Sequence, residues 1–196
     1  MLSSSFSGHL IEAGCDEAGR GCLAGPVFAA AVIFPSYYVN PFLNDSKKLS
    51  SKQRTVLRQQ IQNDALAWAV ASVGNHEIDQ INILQASFLA MHQTLDKLTT
   101  RPQLILVDGN RFKPYKNIDH ECIVKGDGKF LSIAAASILA KTYRDDFMLE
   151  LDRQYPEYFW KRNNGYPTLH HRNAVLERGL SPHHRKSFTV QLKIKL

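Results

Sequence analysis

Short apolar or alternating runs occupy residues 9–15, 27–34 and 65–73, and their two-residue period predicts three strands of a meander. A fourth run, 103–107, is nearly all aliphatic and reads as a strand buried on both faces; a fifth is read over 120–125. Between them, Ser50 and Gln53 make a capping box ahead of a helix over 52–63. Apolar residues at helical spacing predict a long helix over 76–98 and another over 133–151. Thr168 is placed to cap a last helix that Gly179 would end, and a basic tail follows from His183. Elements in this order imply an α/β fold with a mixed central sheet flanked by helices and a helical C-terminal part. Apart from a serine-rich start at residues 3–7 there is no low-complexity tract, repeat or linker, so residues 1–196 are expected to form one domain.

Composition adds a few constraints. The 196 residues are 44% apolar, enough for a sizeable core, and the formal charge of +6 inclines the chain towards an anionic partner. Three cysteines, Cys15, Cys22 and Cys122, have no C-x-x-C spacing, which argues against a disulfide framework and a zinc site and fits a reducing cytoplasm. No basic leader precedes an apolar stretch and no run is long enough to span a membrane, so the expectation is a soluble, unexported protein, monomeric and without a required protein partner.

The chemistry is carried by where the carboxylates fall. Asp16 and Glu17 end the first strand and are followed by Ala18-Gly19-Arg20-Gly21, a turn that would let both side chains reach one place. Asp108 ends the fourth strand ahead of Gly109, and Asp127 lies between Gly126 and Gly128 after the fifth. Carboxylates at strand ends converge over one sheet edge, where ligands of open α/β sheets sit. Their mutual repulsion calls for a cation, and oxygen-only ligands point to Mg²⁺ or Mn²⁺. Taken singly, each acid is read equally well as a turn cap. Asp119, Asp145, Asp146 and Asp152 read as solvated acids on loops or helices.

The run from Asp16 through Gly21 to Val27 resembles the signature of the ribonuclease HII family. Asn44-Asp45-Ser46-Lys47-Lys48-Leu49, Asp108-Gly109-Asn110, Lys125-Gly126-Asp127, Ala134 to Lys141 and Gly165-Tyr166-Pro167-Thr168 match that family in order. The resemblance implies a ribonuclease H-like fold with Asp16, Glu17, Asp108 and Asp127 as catalytic metal ligands. It implies hydrolysis of the RNA strand of RNA·DNA hybrids and nicking 5′ of a ribonucleotide embedded in duplex DNA, by two-metal in-line displacement leaving a 5′-phosphate and a 3′-hydroxyl. Gly19, Arg20 and Gly21 would sense the 2′-hydroxyl and neighbouring phosphate, the alternative being a plain tight turn. Tyr166 would pack against the adjacent deoxyribose, and Lys47, Lys48 and Arg185 would meet phosphates.

Three readings remain bland. The pairs His170-His171 and His183-His184 lack zinc-dyad spacing and are read as surface or phosphate-contacting histidines. Gly126-Asp127-Gly128-Lys129 fails the phosphate-loop pattern, since Ile123 and Phe130 stand where glycine and a hydroxyl residue are needed. Ser137, in the alanine-rich helix, is expected to face the core or a backbone carbonyl. The competing functions are ribonuclease HIII, disfavoured by the short stretch before Asp16 and by Asp127 in place of glutamate, and a non-catalytic nucleic-acid-binding module.

Overall fold

A computed structural model of the chain describes residues 2–188. Five strands, β1 (Glu12–Ala18), β2 (Val27–Ile33), β3 (Ala67–Val73), β4 (Leu104–Asp108) and β5 (Asp119–Ile123), form one sheet in the order β3-β2-β1-β4-β5. The first three are the antiparallel meander expected, and β4 and β5 extend the other side of β1 in parallel. The helices are α1 (Ser51–Asp64), α2 (Asn75–Lys97), α3 (Leu131–Gln154), the short α4 (Trp160–Asn163) and α5 (Leu169–Arg178).

Side-chain alternation divides the core into two layers. Ala13, Cys15, Val27, Ala29, Ala31, Ile105 and Val107 face one way and pack with Ile78, Ala86, Ala90, Met91 and Leu95 of α2. On the other face Ala30 and Val32 meet Leu57 and Ile61 of α1 and the buried residues of α3, while Leu104 and Leu106 meet Ile133. α3 lies very close to the sheet because its contact face is Ala134, Ala135 and Ala136 and because β1 offers Gly14. A Cβ on Gly14 would stand 2.3 Å from the Ser132 carbonyl carbon, so this glycine sets the spacing between α3 and β1. Truncating Ile138 or Leu139, both fully buried, would cost about 2–5 kcal/mol.

Local chemistry explains the helix ends. The Ser50–Gln53 capping box is formed, and the Thr168 hydroxyl accepts from His171 N as α5 begins. α2 contains a break that its apolar periodicity does not reveal: Asn82 has φ 65° and ψ 164°, and its Oδ1 accepts from Leu84 N and Gln85 N, starting the helix afresh. The N-terminal part of α2 holds the chain's later segment, since Asn75 donates to the carbonyls of Pro182 and His184 and Asp79 accepts from Lys186 N and Ser187 N.

Two expectations are corrected. β1 begins at Glu12 and runs on to Ala18, because residues 5–7 fold back to donate hydrogen bonds to Glu12 instead of extending the sheet. Nor is the segment from His183 a solvated basic tail: His184 and Arg185 are each 1% exposed. The rest of that expected tail, residues 189–196, lies outside the described residues.

Candidate active site

β1 outlasts one of its neighbours. Its pairing with β4 ends at Cys15 opposite Val107, whereas its pairing with β2 continues to Ala18 opposite Phe28. Asp16 and Glu17 therefore stand where the sheet splits, on opposite faces of a strand that keeps going, and no turn is needed to bring both to the gap. Asp108 ends β4 at the same split. Its Oδ1 accepts the Gly126 N–H at 2.7 Å, drawing in the single 3₁₀ turn Gly126–Gly128 that carries Asp127. The turn is entered through Lys125 in the left-handed region (φ 56°), a conformation that costs a non-glycine residue about 1–3 kcal/mol and recurs at functional sites.

The cluster is electrostatically uncomfortable. Burial, then the charges of Glu17 and Asp108, pushes the Asp16 carboxyl well above the usual carboxylate range; hydrogen bonds from Ser137 and from Glu17 N only partly offset this. Glu17 is raised chiefly by burial, against the lowering effect of Arg20 at 3.1 Å. Asp127 is raised by burial and by Asp108 and Asp45. A cation among these oxygens would relieve all three, and the donor set is all carboxylate, as hard divalent ions require. Among the described residues no three acidic, histidine or cysteine side chains are placed to hold a metal ion together.

Beyond β1 the chain forms a strap over residues 19–26. Two arginines, each 1% exposed and neither in an ion pair among the described residues, hold it through backbone carbonyls. Arg185 donates to the carbonyls of Gly19, Arg20 and Gly25 at 2.8–3.0 Å, and Arg144 donates to those of Ala24, Pro26 and Asn164 at 2.8–3.1 Å. Gly19 is required on two counts: its φ is +95°, and a Cβ would lie 2.0 Å from Arg144 Nε. Gly21 is different, since a Cβ there would meet nothing within 4 Å. Arg185, expected to meet phosphate directly, thus has its guanidinium committed to the strap, and burial pulls its pKa down to about 10.

The helical C-terminal part packs against this strap. Leu23 N donates to Gly165 O, the Cys22 thiol donates to Asn164 O, and the Tyr166 side chain lies beside the same thiol. The Tyr166 backbone is fixed in turn: its carbonyl lies 2.9 Å from His171 Nδ1, while His171 Nε2 lies 3.0 Å from Trp160 Nε1 and 3.1 Å from His184 Nε2. His184 Nδ1 accepts from Ser181 N. Every one of these bonds is satisfied with both rings neutral, His171 protonated on Nδ1 and His184 on Nε2. Burial, with His171 nearby, holds His184 down at about 4. The surface reading of the histidine pairs fails for His171 and His184, which form this buried network; His170 is exposed.

The comparisons with known proteins agree with this geometry. Residues 13–191 match the family model described as ribonuclease HII. The chain belongs to the ribonuclease HII family. A relative from Parabacteroides distasonis named ribonuclease HII is 63% identical over 190 residues, covering 97% of this chain and 96% of the relative. The solved ribonuclease H2 of Pyrococcus horikoshii OT3 superposes with a TM-score of 0.79 at 26% identity, covering 91% of this chain and 94% of that one. A Bst ribonuclease HIII solved with Mn²⁺ shares the fold with a TM-score of 0.71 at 20% identity, covering 87% of this chain and 63% of that one. The fold is the ribonuclease H-like α/β architecture, and the enzyme is an endonuclease of the type 2 ribonuclease H class. Its family acts on RNA·DNA hybrids and generally uses divalent metal ions.

Ribonuclease HII motifs account for most of the site, and the structure adds contacts that sequence reading did not give. Ser137 is buried, as expected, and lies against the Asp16 carboxyl and, at 2.9 Å, the Ser46 hydroxyl. Asp45 reaches Asp127, and Lys47 is close enough to lower both Glu17 and Asp127. Lys48 stands exposed beside Lys47. A cleft of about 260 Å³ opens beside Glu17, Arg20 and Asp108; it has Leu84, Phe88 and Met91 of α2 along one wall and Asn110 and Arg111 at its rim. The signal for Asn110 was its place two residues after a strand-end acid. For the α2 wall there was none, because its facing depends on the break at Asn82.

Proposed function

We propose that this ribonuclease HII hydrolyses the RNA strand of RNA·DNA hybrids and nicks duplex DNA on the 5′ side of a single embedded ribonucleotide, leaving a 5′-phosphate and a 3′-hydroxyl. The observation that carries this reading is the gathering of Asp16, Glu17, Asp108 and Asp127 at one sheet edge, three of them held above the normal carboxylate range by burial and mutual repulsion. Those four would hold two divalent ions, Mg²⁺ or Mn²⁺. Bound ions supply a water of lowered pKa and stabilise charge on the leaving oxygen.

The chain's own groups position the substrate. The strap presents Gly21 with open space beside it, so a ribose can approach the backbone closely enough for peptide groups to hydrogen-bond a 2′-hydroxyl. Arg20, half exposed and paired with Glu17, is placed to exchange that partner for a phosphate as ions take over the carboxylate. Tyr166, 41% exposed and beside Cys22 of the strap, offers its ring to the next sugar, where an aromatic face accepts a 2′-hydrogen more readily than a 2′-hydroxyl. Lys47 and Lys48 supply phosphate contacts that orient the duplex without reading bases. Three free cysteines suit action in a reducing cytoplasm.

The test is cleavage of a labelled duplex holding one ribonucleotide, beside an all-DNA control, in Mg²⁺, Mn²⁺ and EDTA. A metal-dependent nick 5′ of the ribonucleotide is expected, with loss of at least a hundredfold in Asp108→Asn. Tyr166→Ala should lose far more on the single ribonucleotide than on a long hybrid. A duplex bound but left intact would support a binding module instead.

A further inference from the structure

The serine-rich start, the one stretch with no expected role, is ordered around a buried acid. Glu12 is 8% exposed and opens β1 at the end of the strand away from Asp16. Its carboxylate accepts from Ser5 Oγ at 2.9 Å, from Phe6 N at 2.9 Å, and from both Ser7 N and Ser7 Oγ at 2.6 Å. Carboxylates that gather several N–H and O–H donors are strongly held in the ionised form, and bonds to an ionised acceptor are roughly twice as strong as neutral ones.

What this latch secures lies next to the acidic cluster. Ser3 bridges in parallel to Phe130: Ser3 N donates to Lys129 O at 2.7 Å and Leu131 N donates to Ser3 O at 2.9 Å. Phe6 packs against Phe130 with ring centroids 5.9 Å apart. Lys129 N and Phe130 N both donate to Gly126 O, which closes the turn carrying Asp127. On its other side the turn leads through Phe130 into α3, and Gly126 packs against Ile133. The Asp127 segment is one 3₁₀ turn long, it is entered through a left-handed lysine, and its bond to Asp108 uses a carboxylate oxygen that a cation would also want.

We propose that residues 3–7, latched by Glu12, are a brace that keeps the Asp127 turn in position for binding the divalent ion. Glu12 and Ser3 are positioning residues: neither touches substrate. The inference rests on the reading of Asp127 as a metal ligand and adds that its placement depends on a segment outside the catalytic motifs.

The full-length protein, with Glu12→Gln, Ser3→Pro and a control Ser4→Ala, provides the test. Glutamine turns one end of the acceptor into a donor facing the N–H groups of residues 6 and 7; proline removes the single N–H that reaches Lys129 O. Two readouts need no catalysis: hydrogen exchange by NMR at Gly128, Lys129 and Phe130, and the Mn²⁺ concentration giving half the Mn²⁺-induced rise in Tm. Both variants should exchange at least tenfold faster at those amides and need several-fold more Mn²⁺, while Ser4→Ala matches the parent. Cleavage should fall at limiting Mn²⁺ and recover when Mn²⁺ is saturating. Parental exchange and an unchanged Mn²⁺ midpoint in a folded Ser3→Pro protein overturn the brace, whether or not Glu12→Gln folds. A parent that binds Mn²⁺ but cleaves neither hybrid nor embedded ribonucleotide defeats the functional reading and leaves the brace standing on its metal readout.

Discussion

Asp16 has lost nearly all its water, has Glu17 and Asp108 as neighbours, and is offered one serine hydroxyl and one backbone N–H in return. A carboxyl whose pKa is raised by folding supports the native state below its unfolded pKa, and that support is lost as pH rises through the folded value. At neutral pH the ionised cluster therefore works against stability unless a cation is present. Asp16→Asn should raise the Tm of the metal-free protein by a few degrees while removing both cleavage and most of the Mn²⁺-induced rise in Tm, which differential scanning calorimetry with and without EDTA would read. An Asp16→Asn protein less stable than the parent in EDTA would contradict this. The positions of Asp16, Glu17, Asp108 and Asp127 were legible because an acid at the end of an apolar run beside glycine is a local pattern. Ser137 and Asp45 were not, since what they touch is decided by how α3 and the 44–49 turn dock on distant strands.

The helices and strands followed their sequence signals except where a tertiary contact outcompeted the pattern. The first strand starts at Glu12, three residues later than the expected 9–15, and Asn82 interrupts α2 although the apolar spacing runs straight through it. Asn82 Oδ1 caps the second part of the helix, so Asn82→Ala loses a cap of about 1 kcal/mol. A fall in stability of about 1 kcal/mol in urea unfolding is expected, and a change below 0.5 kcal/mol would mean that the helix can straighten. A straightened α2 would also move Leu84 and Phe88, altering the cleft beside Glu17. In the strap, Arg185→Lys keeps a charge but cannot fork to three carbonyls. Each buried carbonyl left without a donor costs roughly 1–3 kcal/mol, and kcat should fall more than affinity for the duplex, because the exposed lysines proposed to meet phosphate are untouched.

At the scale of the whole molecule, the buried histidine network is expected to contribute to acid sensitivity. His171 and His184 are held neutral by burial, the latter down at about 4. A base whose pKa is depressed by folding contributes stability above its unfolded value, near 6.5, and that contribution is lost as pH falls towards the folded value. The histidine contribution should therefore decline between pH 6.5 and about 4, opposing the gain as the Asp16 cluster takes up protons, and is read as the difference in Tm between the parent and His184→Gln across that window; an unchanged difference would show the imidazoles to be free to protonate in place. Glu12 titrates at the same acid end: burial alone would raise it, but its bonds from Ser7, Phe6 and Ser5 hold it below the usual range, so its contribution is lost only as pH falls below the ordinary carboxylate value and the latch stays ionised through most of this window.

The strap's dependence on Arg185 also sets an order of events during synthesis. The sheet cannot bring β4 beside β1 until 92 residues separate the paired positions, as between Ile11 and Gln103, and the arginine that fixes Gly19 is 166 residues further along the chain. Contacts at such separations form late, because the entropy of closing so long a loop must be met before the contact returns any energy. The ribosome has thus released every residue up to Arg185 before the loop at Gly19 to Gly21 acquires its shape, and until then the nascent chain carries Asp16, Glu17, Asp108 and Asp127 without that loop beside them.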